Sequence, residues 1–295
     1  MRAPRRALIR LVEPWLLIAP TQVLLWAVIG LPSLYVVWLS LTHSTYGSSP
    51  TWAGFANYAG VLSDPYFWRA LINTLIVVNA VVYIELVLAL GVALLFAGGV
   101  PARRLMISCV LAPYAVSEVV AVMIWRYLTD PDIGPITHGL HGLGLPMADW
   151  SVSPAAALAV VGLINMWSNF PFTFVLLYTG LLAIPDELYE AARIDGAGAW
   201  AEFRAITLPM LMPAILVAVL FRLIFAFRMF TEVWLLTQGG PARSTELIAL
   251  YLYVTGFRYA DFGSAAAIGC LMLLASLLVA LPWLRRAQRS MFADA

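Results

Sequence analysis

The stretch of sequence that decides the fold lies at Glu190–Ala197, which reads EAARIDGA; eight residues later, Ile206–Pro209 reads ITLP. This polar stretch, interrupted by glycine, separates two long apolar segments. Pro185 can open a helix, and the acidic residues that follow it suit the positive end of the helix dipole. The pattern predicts a short helix with one small, flat face and a turn at Gly196. A second short helix is expected over 199–205, leading into the next apolar segment at Pro209.

The composition identifies a membrane protein. Of 295 residues, 62% are hydrophobic and 11% are charged, and the mean hydropathy is +0.89. A soluble domain of this length could not bury so much apolar side chain, so the surplus must face lipid. The net charge of +1 gives no indication of nucleic acid. All 17 basic residues are arginine, which excludes a P-loop lysine and a Schiff-base lysine.

Six segments have the roughly 20 mostly apolar residues that a spanning helix needs. They are Trp15–Leu41, Ala70–Phe96, Leu105–Leu128, Pro154–Ile184, Leu208–Leu236 and Ser264–Leu284. The first is too long for a signal-peptide core, so we interpret it as a retained span. Cys109 and Cys270 both lie in apolar stretches and are expected to be packing residues, with no disulfide framework and no metal site.

The distribution of arginine predicts the orientation of the spans. Eleven arginines lie before span 1, between spans 2 and 3, between spans 4 and 5, and after span 6, whereas four lie in the other set of loops. Positively charged loops remain in the cytoplasm. Both termini and the loop over 185–207 are therefore expected to be cytoplasmic.

The loop over 185–207 resembles the EAA loop of the membrane subunits of binding-protein-dependent ABC importers. The residues that carry this resemblance are Glu190, Ala191, Ala192, Asp195, Gly196, Ala197, Leu208 and Pro209. The resemblance implies that they couple the chain to an ATPase. A simpler alternative is an amphipathic loop that rests on the membrane surface.

Other motifs resemble the MalF-type carbohydrate branch of these importers. They include Gly54–Tyr58 and Asp64–Trp68 before span 2, Trp125–Leu128 at the end of span 3, and Leu236–Pro241 after span 5. Two departures stand out. Thr231 and Glu232 follow Arg228-Met229-Phe230 where relatives often have an Asp, and Glu118 occupies a stretch that usually holds small residues and proline.

The resemblance implies an all-α membrane protein with the type I ABC importer permease fold, six transmembrane helices and the EAA coupling loop. It divides the chain into residues 1–69, the N-terminus with span 1 and its outer loop, and residues 70–295, the permease core. The implied partners are a second homologous permease, two ATPase subunits, an extracytoplasmic solute-binding protein and membrane lipid. No nucleic acid is expected. This chain would be non-catalytic and free of cofactors, with ATP and Mg on the partner ATPase. The implied location is the bacterial cytoplasmic membrane.

Ionisable side chains inside the spans are functional candidates, because burying them is costly. They are Glu85, Glu118, Arg222, Arg228 and Glu232. Structural ion pairs are the alternative: Arg228 and Glu232 are four residues apart and could pair on one helix face. A buried partner for Glu85, such as Arg222, is as well supported as a transport role.

A sugar is recognised by hydrogen-bonding groups and by aromatic faces. The candidates for the substrate pathway are Glu118, Tyr114, Asn165, Trp167, Asn169, Phe172, Phe225 and Arg228. For any single aromatic residue, lipid contact or helix packing is the alternative. Asn165 and Asn169 share a helix face.

Two other functional classes stay open at this point. An autonomous ion-coupled secondary transporter or channel subunit would explain the spans and the charges but not a coupling loop. A polytopic membrane enzyme would need a catalytic constellation, and the three histidines, all in outer loops, form none.

Overall fold

The computed structural model describes residues 17–145 and 148–292. Five of its helices are long and apolar enough to cross a membrane, and a bent pair makes a sixth crossing if it counts as one span. In chain order the helices are α1 (Leu17–Ser40), α2 (Ala56–Ser63), α3 (Pro65–Ala97), α4 (Arg103–Leu111), α5 (Glu118–Leu128), α6 (Pro135–Gly142), α7 (Pro154–Leu182), α8 (Asp186–Ile194), α9 (Ala199–Ala226), α10 (Thr231–Leu236), α11 (Ile248–Tyr253) and α12 (Phe262–Phe292). The arginines that precede span 1, and Trp15, lie outside the described residues.

The described residues form two compact units. One comprises residues up to Ser63 together with Leu252–Cys270. It contains α1, α2 and a small antiparallel pair of strands, β1 (Thr42–His43) and β2 (Thr51–Trp52), between them. The buried Asn57 amide donates to the carbonyl oxygens of Ser40 and Thr42, at 2.9 and 2.8 Å. These bonds fix α2 against the end of α1.

The other unit comprises Asp64–Tyr251 and the residues from Leu271 onwards. Its core is built by α3, α7 and α9, which pack against one another through small and branched apolar side chains. Gly180 permits the close approach of α7 to α9, because a Cβ there would lie 2.8 Å from Leu211 Cδ1. Close approach through small residues is the usual basis of helix packing in a membrane.

Capping side chains set where the long helices begin. Asp64 accepts a hydrogen bond from the Tyr66 N–H at 2.8 Å, and Pro65 occupies the first helical position. This cap starts α3 five residues before the predicted Ala70, because it satisfies backbone donors that would otherwise be exposed. Ser153 and Pro154 begin α7 in the same way. The predicted start of span 4 at Pro154 is confirmed.

Two predicted spans are interrupted. In place of one helix over Leu105–Leu128, the stretches Arg103–Ala115 and Glu118–Leu128 meet at an angle of 104°. Pro113 lies in the short 3-10 turn before the break, and Ser117 caps α5. Span 5 was expected over Leu208–Leu236, but α9 runs from Ala199 to Ala226 and α10 is separate. The expected second short helix of the loop is therefore continuous with α9.

The loop after α10 is anchored to the N-terminal part of α3. Asn73 donates to the carbonyl oxygens of Ser244 and Glu246, at 2.9 and 3.2 Å. Arg243 forms an ion pair with Glu246 at 2.8 Å and lies over the Tyr66 ring, 4.1 Å from its centroid. Burial raises the pKa of the Glu246 carboxyl. These contacts tie the loop to α3.

Candidate functional site

A buried ion pair joins two of the core helices. Arg222 on α9 donates through Nε to both carboxylate oxygens of Glu85 on α3, at 2.9 and 3.0 Å. Its Nη2 reaches Glu85 Oε2 at 2.6 Å, and both side chains are almost completely buried. Thr173 on α7 donates to the same carboxylate. The structure forms the Glu85–Arg222 pair, which the sequence left open beside a transport role for Glu85, and three helices meet at this group.

Asn165 on α7 extends the network toward α10. Its Oδ1 accepts from Arg222 Nη2 at 3.0 Å, and its Nδ2 donates to Glu232 Oε1 at 2.7 Å. The expected Arg228–Glu232 ion pair is not formed. The helix is interrupted between Ala226 and Thr231, and Phe230 leaves helical geometry at φ −131°, so the spacing of four residues no longer places the two side chains on one face.

A polar pocket of about 280 Å³ opens beside this network. Its lining is Glu118, Asn165, Asn169, Phe225, Arg228, Met229 and Glu232. Glu118 Oε2 accepts a hydrogen bond from Thr231 Oγ1 at 3.0 Å, which links the start of α5 to the start of α10. The two helix breaks therefore border the same pocket.

The pocket brings together five of the eight residues predicted for the substrate pathway: Glu118, Asn165, Asn169, Phe225 and Arg228. Glu232 was identified from the sequence as an ionisable residue and as a departure from the family pattern, but not as a pathway candidate, and its position beside Asn165 was not foreseen. Met229 was missed, because a methionine within an apolar segment carries no polar signal. Its side chain is buried at the interrupted end of α9.

The other three candidates lie outside this lining. Trp167 packs edge-to-face with Trp125, with 6.0 Å between ring centroids. Phe172 packs between Phe221 and Phe225, at 6.0 and 6.1 Å. Tyr114 lies in the 3-10 turn between α4 and α5 and is exposed. Their assignment to the pathway stays a prediction.

The loop over 185–207 contains the predicted helix, α8. The helix ends in a Schellman motif: the Ala197 N–H bonds to the Ala192 carbonyl at 2.9 Å, and the Gly196 N–H bonds to the Arg193 carbonyl at 3.1 Å. Gly196 has φ +81°, which confirms the predicted turn.

Two side-chain contacts connect α8 to the start of α9. Arg193 Nε lies 3.0 Å from Glu202 Oε1, and Arg193 Nη2 lies 3.5 Å from Glu202 Oε2. The Tyr189 hydroxyl lies 3.0 Å from Thr207 Oγ1. The hydrogen bond that Arg193 donates to Glu202 raises the pKa of the arginine.

The long apolar helices, the polar pocket and the exposed loop helix α8 are the features of a multi-pass membrane transport component. The family described as binding-protein-dependent transport system inner membrane component matches residues 14–288, and the chain belongs to that family. A probable ABC transporter permease protein of Brucella suis is 33% identical over 281 residues, covering 94% of this chain and 97% of the relative.

Two further proteins are similar over nearly their whole length. The trehalose transport system permease protein SugA of Mycobacterium tuberculosis is 34% identical over 274 residues, covering 90% of this chain and 87% of SugA. A chain in the crystal structure of a bacterial alginate ABC transporter has a TM-score of 0.81 at 22% identity, covering 97% of this chain and 98% of that one. The structural match shows that the ABC transporter fold is shared.

Proposed function

We propose that this chain is the permease subunit of an ATP-driven importer for a sugar or related polyol, and that it forms half of the translocation pathway. The observation that carries the proposal is the polar pocket beside the buried network. Its amides, carboxylates and guanidinium offer both donors and acceptors, and Phe225 offers an aromatic face. A polyhydroxylated solute can use all of these groups. The trehalose relative supports the same substrate class.

Membership of the family supports the assembly that we propose. A second homologous permease supplies the other half of the pathway, two ATPase subunits bind the coupling loops, and an extracytoplasmic binding protein delivers the solute. ATP and Mg are bound by the ATPase. The chain crosses the membrane six times, with the broken α4–α5 pair as one crossing and both termini in the cytoplasm. Glu190 and its helix, α8, lie in a groove of the ATPase.

An autonomous ion-coupled transporter is less well supported, because it would not need α8. The helix is short and charged, and Glu187 and Glu190 are exposed on it. The family to which the chain belongs also favours the importer.

Affinity purification of the tagged chain in mild detergent tests the assembly. We expect a second permease and an ATPase to co-purify, and we expect the preparation to hydrolyse ATP. Mass spectrometry identifies the chains, and a phosphate-release assay measures hydrolysis. A chain that purifies alone and transports solute on an ion gradient would contradict the proposal.

Substitutions in the pocket test the pathway. Asn169→Ala and Glu118→Ala should each lower initial sugar uptake at limiting substrate by about fivefold, the effect of one lost hydrogen bond. Asn79→Ala is a matched control: Asn79 donates to the Leu75 carbonyl four residues back, as Asn169 does to Asn165, but it lies outside the pocket. Normal uptake by both pocket variants would remove Asn169 and Glu118 from the pathway.

A further inference from the structure

We propose that two contacts, Arg193–Glu202 and Tyr189–Thr207, form a coupling staple that makes α8 and α9 move together as one rigid unit. The inference rests on the proposed function, in which the ATPase moves α8. Under this proposal, Arg193, Glu202, Tyr189 and Thr207 are positioning residues. They transmit displacement from the loop to the pocket without touching the solute.

The first argument is that α8 has few other constraints. All nine residues of α8 lie in the described part of the chain, and none of them is buried. A helix without buried side chains gains little orientation from packing. The direction of α8 therefore depends on its C-terminal turn and on the side chains that reach a neighbouring helix.

The second argument is the placement of those side chains. Tyr189 and Arg193 are four residues apart, so they lie on one face of α8. Both side chains reach the first turns of α9: Arg193 donates a hydrogen bond to Glu202, and the Tyr189 hydroxyl forms a hydrogen bond with the Thr207 hydroxyl. The Glu202 side chain is only 14% exposed. Two contacts fix the direction of the α8 axis relative to α9, whereas a single contact would let α8 rotate about that contact.

Glu190 remains available to a partner. It is exposed, as are the neighbouring Glu187 and Leu188 on α8. The staple therefore uses Tyr189 and Arg193 for attachment within the chain and leaves the other side chains free to contact an ATPase.

The third argument is the continuity of α9. The helix is continuous from Ala199 to Ala226, with one π-helical turn at Phe203–Thr207, so Glu202 of the staple and Arg222 of the buried network belong to one helix. Twenty residues of helix span about 30 Å. The π-helical turn directly follows Glu202 and contains Thr207 of the staple, and such turns occur often at functional positions. Displacement of α8 would reach the pocket through α9.

The test measures solute imported per ATP hydrolysed by the full complex in proteoliposomes. Glu202→Gln and Arg193→Gln should each lower this ratio by about two- to fivefold, the range expected for one exposed ion pair. Basal ATP hydrolysis and the melting temperature should stay unchanged. The swap Arg193→Glu with Glu202→Arg should restore the ratio, and Tyr189→Phe with Glu202→Gln should lower it further. Arg204→Gln is the control, because Arg204 is exposed in the same loop but outside the staple.

A normal ratio in Arg193→Glu alone would overturn the staple, even though the importer proposal would stand. Hydrogen exchange of the α8 amides gives an independent readout on the purified chain: Glu202→Gln should speed exchange in α8, and unchanged exchange would also overturn the staple. A wild-type preparation without any ATPase would instead contradict the proposed function. The two failures are therefore distinguishable.

Discussion

Arg222→Met is expected to destabilise the subunit by about 3 kcal/mol, because removing one member of a buried ion pair leaves an uncompensated charge. Glu85 would retain only the hydroxyl of Thr173 as a side-chain donor. Methionine preserves most of the apolar volume of the arginine stem, so the effect reports the charge rather than a cavity. Thermal unfolding of the purified subunit in detergent measures it as a lower melting temperature.

Arg228→Met provides the matched control. Arg228 lies six residues further along the chain, but it is exposed in the pocket and outside the buried network. This variant should melt as the wild type does. Glu85→Gln combined with Arg222→Met should recover most of the lost stability, since replacing both charges of a buried pair is often nearly neutral. Wild-type melting of Arg222→Met alone would falsify the structural role given to this pair.

The position of the ion pair explains why a transport subunit would keep two buried charges despite the free energy that their desolvation costs. The group formed by Glu85, Arg222 and Thr173 joins α3, α9 and α7 at one position along their length. Arg222 also donates to Asn165, which lines the pocket. The same amide contacts Arg222 on one side and Glu232 on the other. The wall of the pocket is therefore held by the contacts that hold the three helices together.

Much of the fold could be predicted from the sequence, because a spanning helix is encoded by length and hydropathy alone. The α8 helix and its Gly196 turn were also predictable, since capping and positive φ are local properties. The Glu85–Arg222 pair was one of the two alternatives that the sequence offered for Glu85, because two opposite charges in apolar segments need partners.

The interruptions were not predicted, for a physical reason. Both breaks lie within stretches that are apolar on average, and the polar residues at the breaks were interpreted as functional candidates, so averaged hydropathy did not locate the breaks. Pro113 and the capping residue Ser117 were the local signals for the break between α4 and α5. At the second, the chain leaves the helix after Ala226, and Glu232 bonds to Asn165 on another helix. That tertiary contact also explains why the expected Arg228–Glu232 pair is absent and why Met229 reaches the pocket.

Gly196→Pro is expected to lower sugar uptake by the assembled transporter by at least tenfold, because proline is incompatible with the turn that ends α8. Gly196 has φ +81°, whereas proline holds φ near −65°. Proline also lacks the N–H that bonds to the Arg193 carbonyl. Vesicle uptake measures transport, and co-purification of the proposed ATPase partner shows whether the variant still assembles.

A pair of alanine variants separates backbone conformation from steric contact. At both Gly196 and Gly198 an added Cβ would meet nothing within 4 Å, so neither alanine creates a clash. The two positions differ in φ, which is +81° at Gly196 and −83° at Gly198. Gly196→Ala should therefore reduce uptake, since a left-handed alanine costs about 1 kcal/mol. Gly198→Ala should transport as the wild type does, and equal effects at the two positions would show that the turn geometry does not control coupling.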